Sequence, residues 1–391
     1  MAVAEGLDLD AARRLFATSQ DFTVGLEEEF AIVEPGSLEL AHAFEEVYGV
    51  CAEDDLLAEA AAGELIDTEI EIRSGRGESF ADAMAMQLER RRRLFAVTDG
   101  LGYELAAMGT HPWASYLDQR IIDTDHYNLL AEQLRWVAQR NNTWSNHVHV
   151  GIRGADRAIA ICDYLRELLP PLLALSANSP FLDGHDTGLA SIRTQIFTRS
   201  FPRCGVHEPF GDWSTYAGFI ENLKRSGTIA EPTQLWWSVR PHHRFGTVEL
   251  RICDAQTDGG ESFGLAGLAA ACIVQSALDH DAGRLPGPLP GREVEENLWR
   301  AIRHGLDGQM IDWRGDCGLR DTRDVVAGMI EWSTPARELI GAPAPSLAPN
   351  GTQRARAALE GGADPAGVYR EAIAQTRRTY PVQDAAPGSG G

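Results

Sequence analysis

At 391 residues and a formal charge of -22, the chain is strongly acidic, which excludes nucleic acid and anionic membrane as partners because both attract basic surfaces. An apolar fraction of 44% is enough for a sizeable core. Lys224 is the only lysine; a P-loop lysine is therefore excluded, and side-chain contacts to phosphate fall to arginine.

The six cysteines are scattered, without a C-x-x-C pair, and read as reduced thiols. The N-terminus has no apolar leader-like core and no run of 18 apolar residues occurs. A soluble cytoplasmic protein is the expectation, with homo-oligomerisation left open.

In chain order, residues 8–18 read as a short helix. FTVGLEEEFAIV (22–33) alternates apolar and acidic residues and is the first strand. ELIDTEIEIRS (64–74) alternates again. A helix is predicted over about 79–100, a strand over 102–112 ending at Pro112, a helix over 125–140 and a strand at 145–152. The apolar helix at 155–176 contains Pro170 and Pro171, which should kink or split it. Residues 181–212 are rich in Gly, Pro and Arg and read as irregular. A helix near 213–225 precedes strands at 234–241 and 246–254, and from 260 the pattern is helical apart from breaks at 286–291 and 342–350.

Strands in the first two-thirds and helices in the last third, without β-α-β alternation, give an α+β fold with a largely antiparallel sheet. The polar-faced strands are spread along the chain, so residues 1–380 read as one catalytic domain, followed by a flexible tail at 381–391.

Four strands carry the chemistry. Residues two apart on a strand share a face, which groups Glu27 with Glu29, Glu69 with Glu71 and Arg73, His147 with His149, and Thr247 with Glu249 and Arg251. Glu64 falls either at the start of its strand or in the turn before it. Each pattern alone fits a half-exposed sheet. Four together, acidic and nearly without basic relief, fit carboxylates that need cations between them to ionise. Carboxylates with one or two imidazoles suit Mg²⁺ or Mn²⁺ better than Zn²⁺. Arg251, on the face of Glu249, is placed to grip phosphate or to make a simple ion pair. The loop 176–205, with Arg193, and the segment 236–246, with Arg240, read equally as substrate-binding or solvated. His111 in GTHPW is as plausibly a turn histidine as a site residue.

The stretches GLEEEF (25–30), ELIDTEIEIRS (64–74), GTHPW (109–113), HVHVGI (147–152), SANSPFLDGHDTGLASIR (176–193) and WWSVRPHHRFGTVELRICD (236–254) resemble, in order, those of the glutamate-cysteine ligase type 2, or carboxylate-amine ligase, family of the glutamine-synthetase-like superfamily. The resemblance implies a curved antiparallel sheet with helices on its outer face, and a concave face that binds Mg²⁺ and the phosphates of ATP. It puts Glu27, Glu29, Glu64, Glu71, His147 and Glu249 at metal-ligand positions and Arg251 at a phosphate-contacting one. Glu29, Glu249 and Arg251 carry the catalytic expectation. His149, Arg193, Arg240 and Asn146 are the expected substrate contacts. Many relatives have Cys-Gly or Trp-Gly before the histidines, where this chain has Trp144, Ser145 and Asn146.

The implied reaction is ATP-dependent: an amino-acid carboxylate, L-glutamate first, is activated as an acyl phosphate and captured by an amine, with L-cysteine the family's acceptor. Two rivals stay open. A phosphotransferase acting on a nitrogen would consume ATP without forming an amide, and a metal-dependent amidohydrolase would not use ATP.

Overall fold

The alternation that marks the first strand is realised in the computed structural model, which describes residues 8–231 and 234–382, as a ten-residue strand at the centre of a seven-stranded sheet. Its strands are β1 (Val24–Val33), β2 (Ala61–Ala62), β3 (Glu69–Arg73), β4 (Glu104–Ala106), β5 (Ser145–Gly151), β6 (Val239–His242) and β7 (Thr247–Asp254). The order is β6-β7-β5-β1-β3-β2, and β4 pairs with the end of β1 beyond β5. Every pairing in this sheet is antiparallel.

One face is apolar. Leu26, Val148, Val150, Val248 and Leu250 pack against the helices Ala155–Leu165, Leu169–Ser176 and Gly259–Asp281, while Phe30, Ile32, Ile70 and Ile72 pack against Leu94 and Phe95 of the helix Phe80–Leu101. That last helix starts where the Ser79 side chain accepts from the Asp82 N–H and stops at Gly102, whose φ of 85° is the left-handed cap glycine adopts without strain. The helix Gly259–Asp281 is long and apolar enough to cross a membrane, but it lies in this core.

The apolar face contains one buried charge. Glu28 accepts hydrogen bonds from Arg91, Gln87 and Ser262. The Arg91 guanidinium is itself sandwiched by the Phe263 and Tyr380 rings. This pair ties β1 to three helical segments.

Several expected elements come out shorter. The strand expected at 64–74 is ordered only as β3, and Glu64 lies in the coil before it. The strand expected at 102–112 shrinks to β4, because the GTHPW segment is a turn. His111 Nδ1 there accepts from the Trp113 and Ala114 N–H groups, and Nε2 bonds the Leu38 carbonyl. The 125–140 helix becomes 3₁₀ after Leu134. The 155–176 helix splits as expected, with Pro170 and Pro171 in the first turn of its second half, where a missing N–H costs no helical bond.

Other elements were not anticipated. The segment read as irregular holds a short hairpin (Phe181–Leu182 with His185–Asp186) and the helix Ile192–Ser200, capped by Ser191. The helical last third contains a two-stranded ribbon, Gln309–Ile311 with Leu319–Asp321. Of the expected tail, residues 383–391 lie outside the described residues.

Candidate active site

On the second face of the sheet the strand period collects Glu27 and Glu29 from β1, Glu69, Glu71 and Arg73 from β3, Ser145, His147 and His149 from β5, Arg240 and His242 from β6, and Glu249 and Arg251 from β7. The registers place Glu27 between Arg73 and His147, Glu29 opposite Glu71, and Glu249 between His149 and Arg240. Residues more than 200 positions apart thus become neighbours through backbone pairing alone.

Two sets of ligand atoms each fall within 4.8 Å of one another: Glu27, His147 and Glu249 in one, Glu29, Glu71 and His147 in the other. His147 sits between them, its Nδ1 3.1 Å from Glu27 Oε2 and its Nε2 3.5 Å from Glu29 Oε1. Ser145 contributes an anchor that sequence reading did not assign. Its backbone N–H and hydroxyl both donate to Glu29 Oε2, at 2.5 and 2.7 Å. The signal was its odd position in β5, in step with the two histidines.

The two sets differ in charge. Burial would raise Glu249 and Glu27, but arginines and His149 outweigh it: Arg240 donates to Glu249 from Nε at 2.6 Å and Arg251 from NH1 at 2.5 Å, and both carboxyls are held well below the usual range. His149, lowered by burial, is raised overall by Glu27 and Glu249. Around β3 the balance reverses. Burial, then the Glu71 charge, pushes Glu29 up to about 7. Burial and neighbouring carboxyls also raise Glu64, Glu69 and Glu71. His147 is driven down to about 3 by burial and by Arg251, which keeps its imidazole neutral and able to offer a lone pair.

The fit to cations rests on this imbalance. Glu71 Oε2 and both oxygens of Glu69 are buried without a hydrogen-bond partner among the described residues, and a carboxylate in that state wants a proton or a cation. Oxygen-rich sets with one neutral imidazole suit Mg²⁺ or Mn²⁺.

The remaining expected residues divide. Arg251 lies at a bulge where it and Ile252 together face His147, and Arg193 holds that bulge by donating to both of its carbonyls, at 3.2 and 3.1 Å. Arg193 also lies 3.6 Å from the fully buried Asp254. Arg240 is engaged with Glu249 and the Leu235 carbonyl. His149 donates to or accepts from Thr247 through Nδ1 at 3.0 Å. Asn146 requires a correction: its even position in β5 turns it to the apolar face, where Nδ2 donates to Ser262 Oγ at 2.9 Å, on the side of the Glu28–Arg91 pair. It is not at the substrate face.

Two cavities open on the cluster. One, of about 230 Å³, is walled by Glu64, Tyr127, Phe201, Trp236, Arg240 and Arg251. The other, of about 350 Å³, is walled by Leu15, Val24, Leu26, Phe245 and Thr247, with Arg76 beside them. Glu27, Arg73, His149, Arg244 and Phe245 line both. The arrangement is two compartments meeting over one row of carboxylates.

The model of glutamate-cysteine ligase family 2 matches residues 23–329. A Rubrobacter xylanophilus protein named provisionally as glutamate–cysteine ligase 2-2 is 41% identical over 290 residues, 74% of each chain. A Frankia casuarinae protein named in the same way, as 2-1, is 38% identical over 335 residues. Among solved structures, a Francisella tularensis glutamate–cysteine ligase in complex with AMP superposes with a TM-score of 0.61 at 12% identity, covering 93% of this chain and 91% of that one. A bifunctional glutathione synthetase from Pasteurella multocida gives 0.65 at 12% identity; this chain spans 53% of its length. The matched residues contain all seven strands of the sheet and every carboxylate of the cluster, so the chain belongs to glutamate-cysteine ligase family 2, the ATP-dependent carboxylate–amine ligases of glutamine-synthetase-like fold.

Proposed function

We propose that this ligase activates the side-chain carboxylate of L-glutamate with ATP in the presence of Mg²⁺, Mn²⁺ being an alternative, and joins it to a small amine, L-cysteine first. The observation that carries the reading is the pair of ligand sets sharing His147 beneath two cavities. The apolar cavity suits a nucleotide base, and the polar one, at about 230 Å³, suits two small amino acids. Free cysteines throughout the described residues accord with a cytoplasmic setting.

A carboxylate resists attack by an amine until one oxygen becomes a leaving group. A glutamate oxygen attacks the γ-phosphorus, the bond to the β-phosphate breaks and ADP leaves. The amine nitrogen then attacks the acyl carbon, the acyl carbon–oxygen bond breaks as phosphate departs, and the nitrogen gives up a proton to solvent. Divalent cations held by Glu27, Glu29, Glu64, Glu71, His147 and Glu249 would neutralise charge on the phosphates. Arg251 adds a fixed guanidinium beside Glu249, and the Arg193 clamp on its bulge keeps it in place. Site walls that held acid and nucleotide in line would supply much of the remaining acceleration.

The test is ADP release by the purified protein with glutamate and a panel of amines, followed by mass spectrometry of the product. ADP and an amide, both dependent on Mg²⁺, are expected. ADP with a phosphorylated nitrogen and no amide would replace this reading with a phosphotransferase, and no ADP with any acid–amine pair would overturn it.

A further inference from the structure

The geometry points to Arg73 as a second phosphate-gripping residue, which releases carboxylates of the cluster as it takes hold of the transferring phosphoryl group. This rests on the ligase reading above. Arg73 was visible in the sequence only as a member of the β3 face.

In the structure its Nε donates to Glu71 Oε1 at 2.5 Å and lies 3.8 Å from Glu27 Oε1. It therefore touches one carboxylate from each of the two ligand sets. Arginines 193, 240 and 251 are shut in by their partners, with side chains 5, 10 and 13% exposed, whereas Arg73 is 43% exposed. Arg73 and the exposed Arg244 both line the two cavities where they meet, and of the two it is Arg73 that pairs with the ligand carboxylates. A phosphoryl group passing from a nucleotide in one cavity to a carboxylate in the other crosses that junction.

These positions define an exchange. Without substrates, Arg73 supplies the positive charge that Glu71 and Glu27 need. Once those oxygens are engaged by cations, the guanidinium loses its partners and is left at the mouth of both cavities. A forked donor there matches the oxygens of a phosphoryl group. Arg251 lies across the cluster on β7, so the group would be held from both sides of the carboxylate row on this one face. Arg73 makes and breaks no covalent bond in this scheme; it touches substrate and neutralises charge.

The exchange has opposite signs on two measurements. In Arg73→Ala, Mn²⁺ binding alone should tighten by up to about fivefold, since a partly exposed competing ion pair is gone. Binding of β,γ-methylene-ATP with saturating Mn²⁺ should weaken at least about tenfold through loss of a charge-assisted contact, whereas ADP should bind within about twofold of wild type. Arg73→Lys, which keeps the charge without the fork, should fall between, and its thermal melting checks that the fold is retained. Equal weakening of both nucleotides, or no change in either, would overturn the role of Arg73 while leaving the ligase reading intact. Failure of the wild-type protein to bind either nucleotide with Mn²⁺ would remove that reading and this inference together.

Discussion

Glu29 on β1 and Glu249 on β7, strands that flank β5, carry the same functional group and are driven in opposite directions. Two arginines hold Glu249 ionised, and burial beside Glu71 raises Glu29 to about 7. Glu29→Gln therefore removes a proposed cation ligand without stranding a charge, since an amide oxygen can still accept from Ser145. We expect it to lower Mg²⁺-dependent ADP release at least about a hundredfold, with an unchanged circular dichroism spectrum and a metal-free melting temperature no lower than wild type. Retained turnover would remove Glu29 from the site. The same asymmetry makes cation binding a proton-releasing event near neutrality, because the raised carboxyls must ionise to ligate. Calorimetry of Mg²⁺ binding in buffers of different ionisation enthalpy should show proton release at pH 7 and affinity rising from pH 6 to 8. Binding independent of pH would contradict it.

At the level of elements, the two-residue period of the strands was legible and carried most of the site: every carboxylate assigned as a ligand from a strand lies on the predicted face. That rule also contained the answer for Asn146, which stands out of step with His147 and His149. We expect Asn146→Ala to leave the KM for the amine unchanged while costing about 1–2 kcal/mol of stability, because Ser262, which donates to Glu28, loses its own buried donor. A raised KM at unchanged stability would return Asn146 to the substrate face. Other features had no local signal. The Arg91–Glu28 pair and the Arg193 contacts to the β7 bulge join residues whose proximity arises only once strands and helices have packed. The helix Ile192–Ser200 was masked by its arginines, threonines and serines; its cap Ser191 and the buried Ile192 and Ile196, four apart, were the available clues.

For the whole molecule, the cluster is a source of strain that the proposed cations would relieve. A carboxyl whose folded pKa exceeds its unfolded value favours the folded state below the unfolded pKa, and that stability is lost as pH rises through the folded one. Glu29, at about 7, acts in this direction, as do the raised Glu64, Glu69 and Glu71. Burial lowers His111, His207 and His243 to about 4 and His147 to about 3, and these act oppositely, but only below the ordinary histidine range. Between about pH 6.5 and 8 the histidine contribution fades out as the unfolded imidazoles lose their protons, and the carboxyls dominate. The metal-free protein should therefore melt at a lower temperature at pH 8 than at pH 6.5, and saturating Mg²⁺ should abolish or reverse the difference. A metal-free protein that gains stability over this interval would contradict the charge balance described.

The central claim is that the row of glutamates on β1, β3 and β7 is a cation site. Titration of the purified protein with Mn²⁺, followed by the electron paramagnetic resonance signal of the free ion, tests it without assuming any substrate. Saturable binding is expected in the wild-type protein, weakened both by Glu29→Gln in one ligand set and by Glu249→Gln in the other. Binding that is absent from the wild type, or unchanged in both variants, would contradict the account.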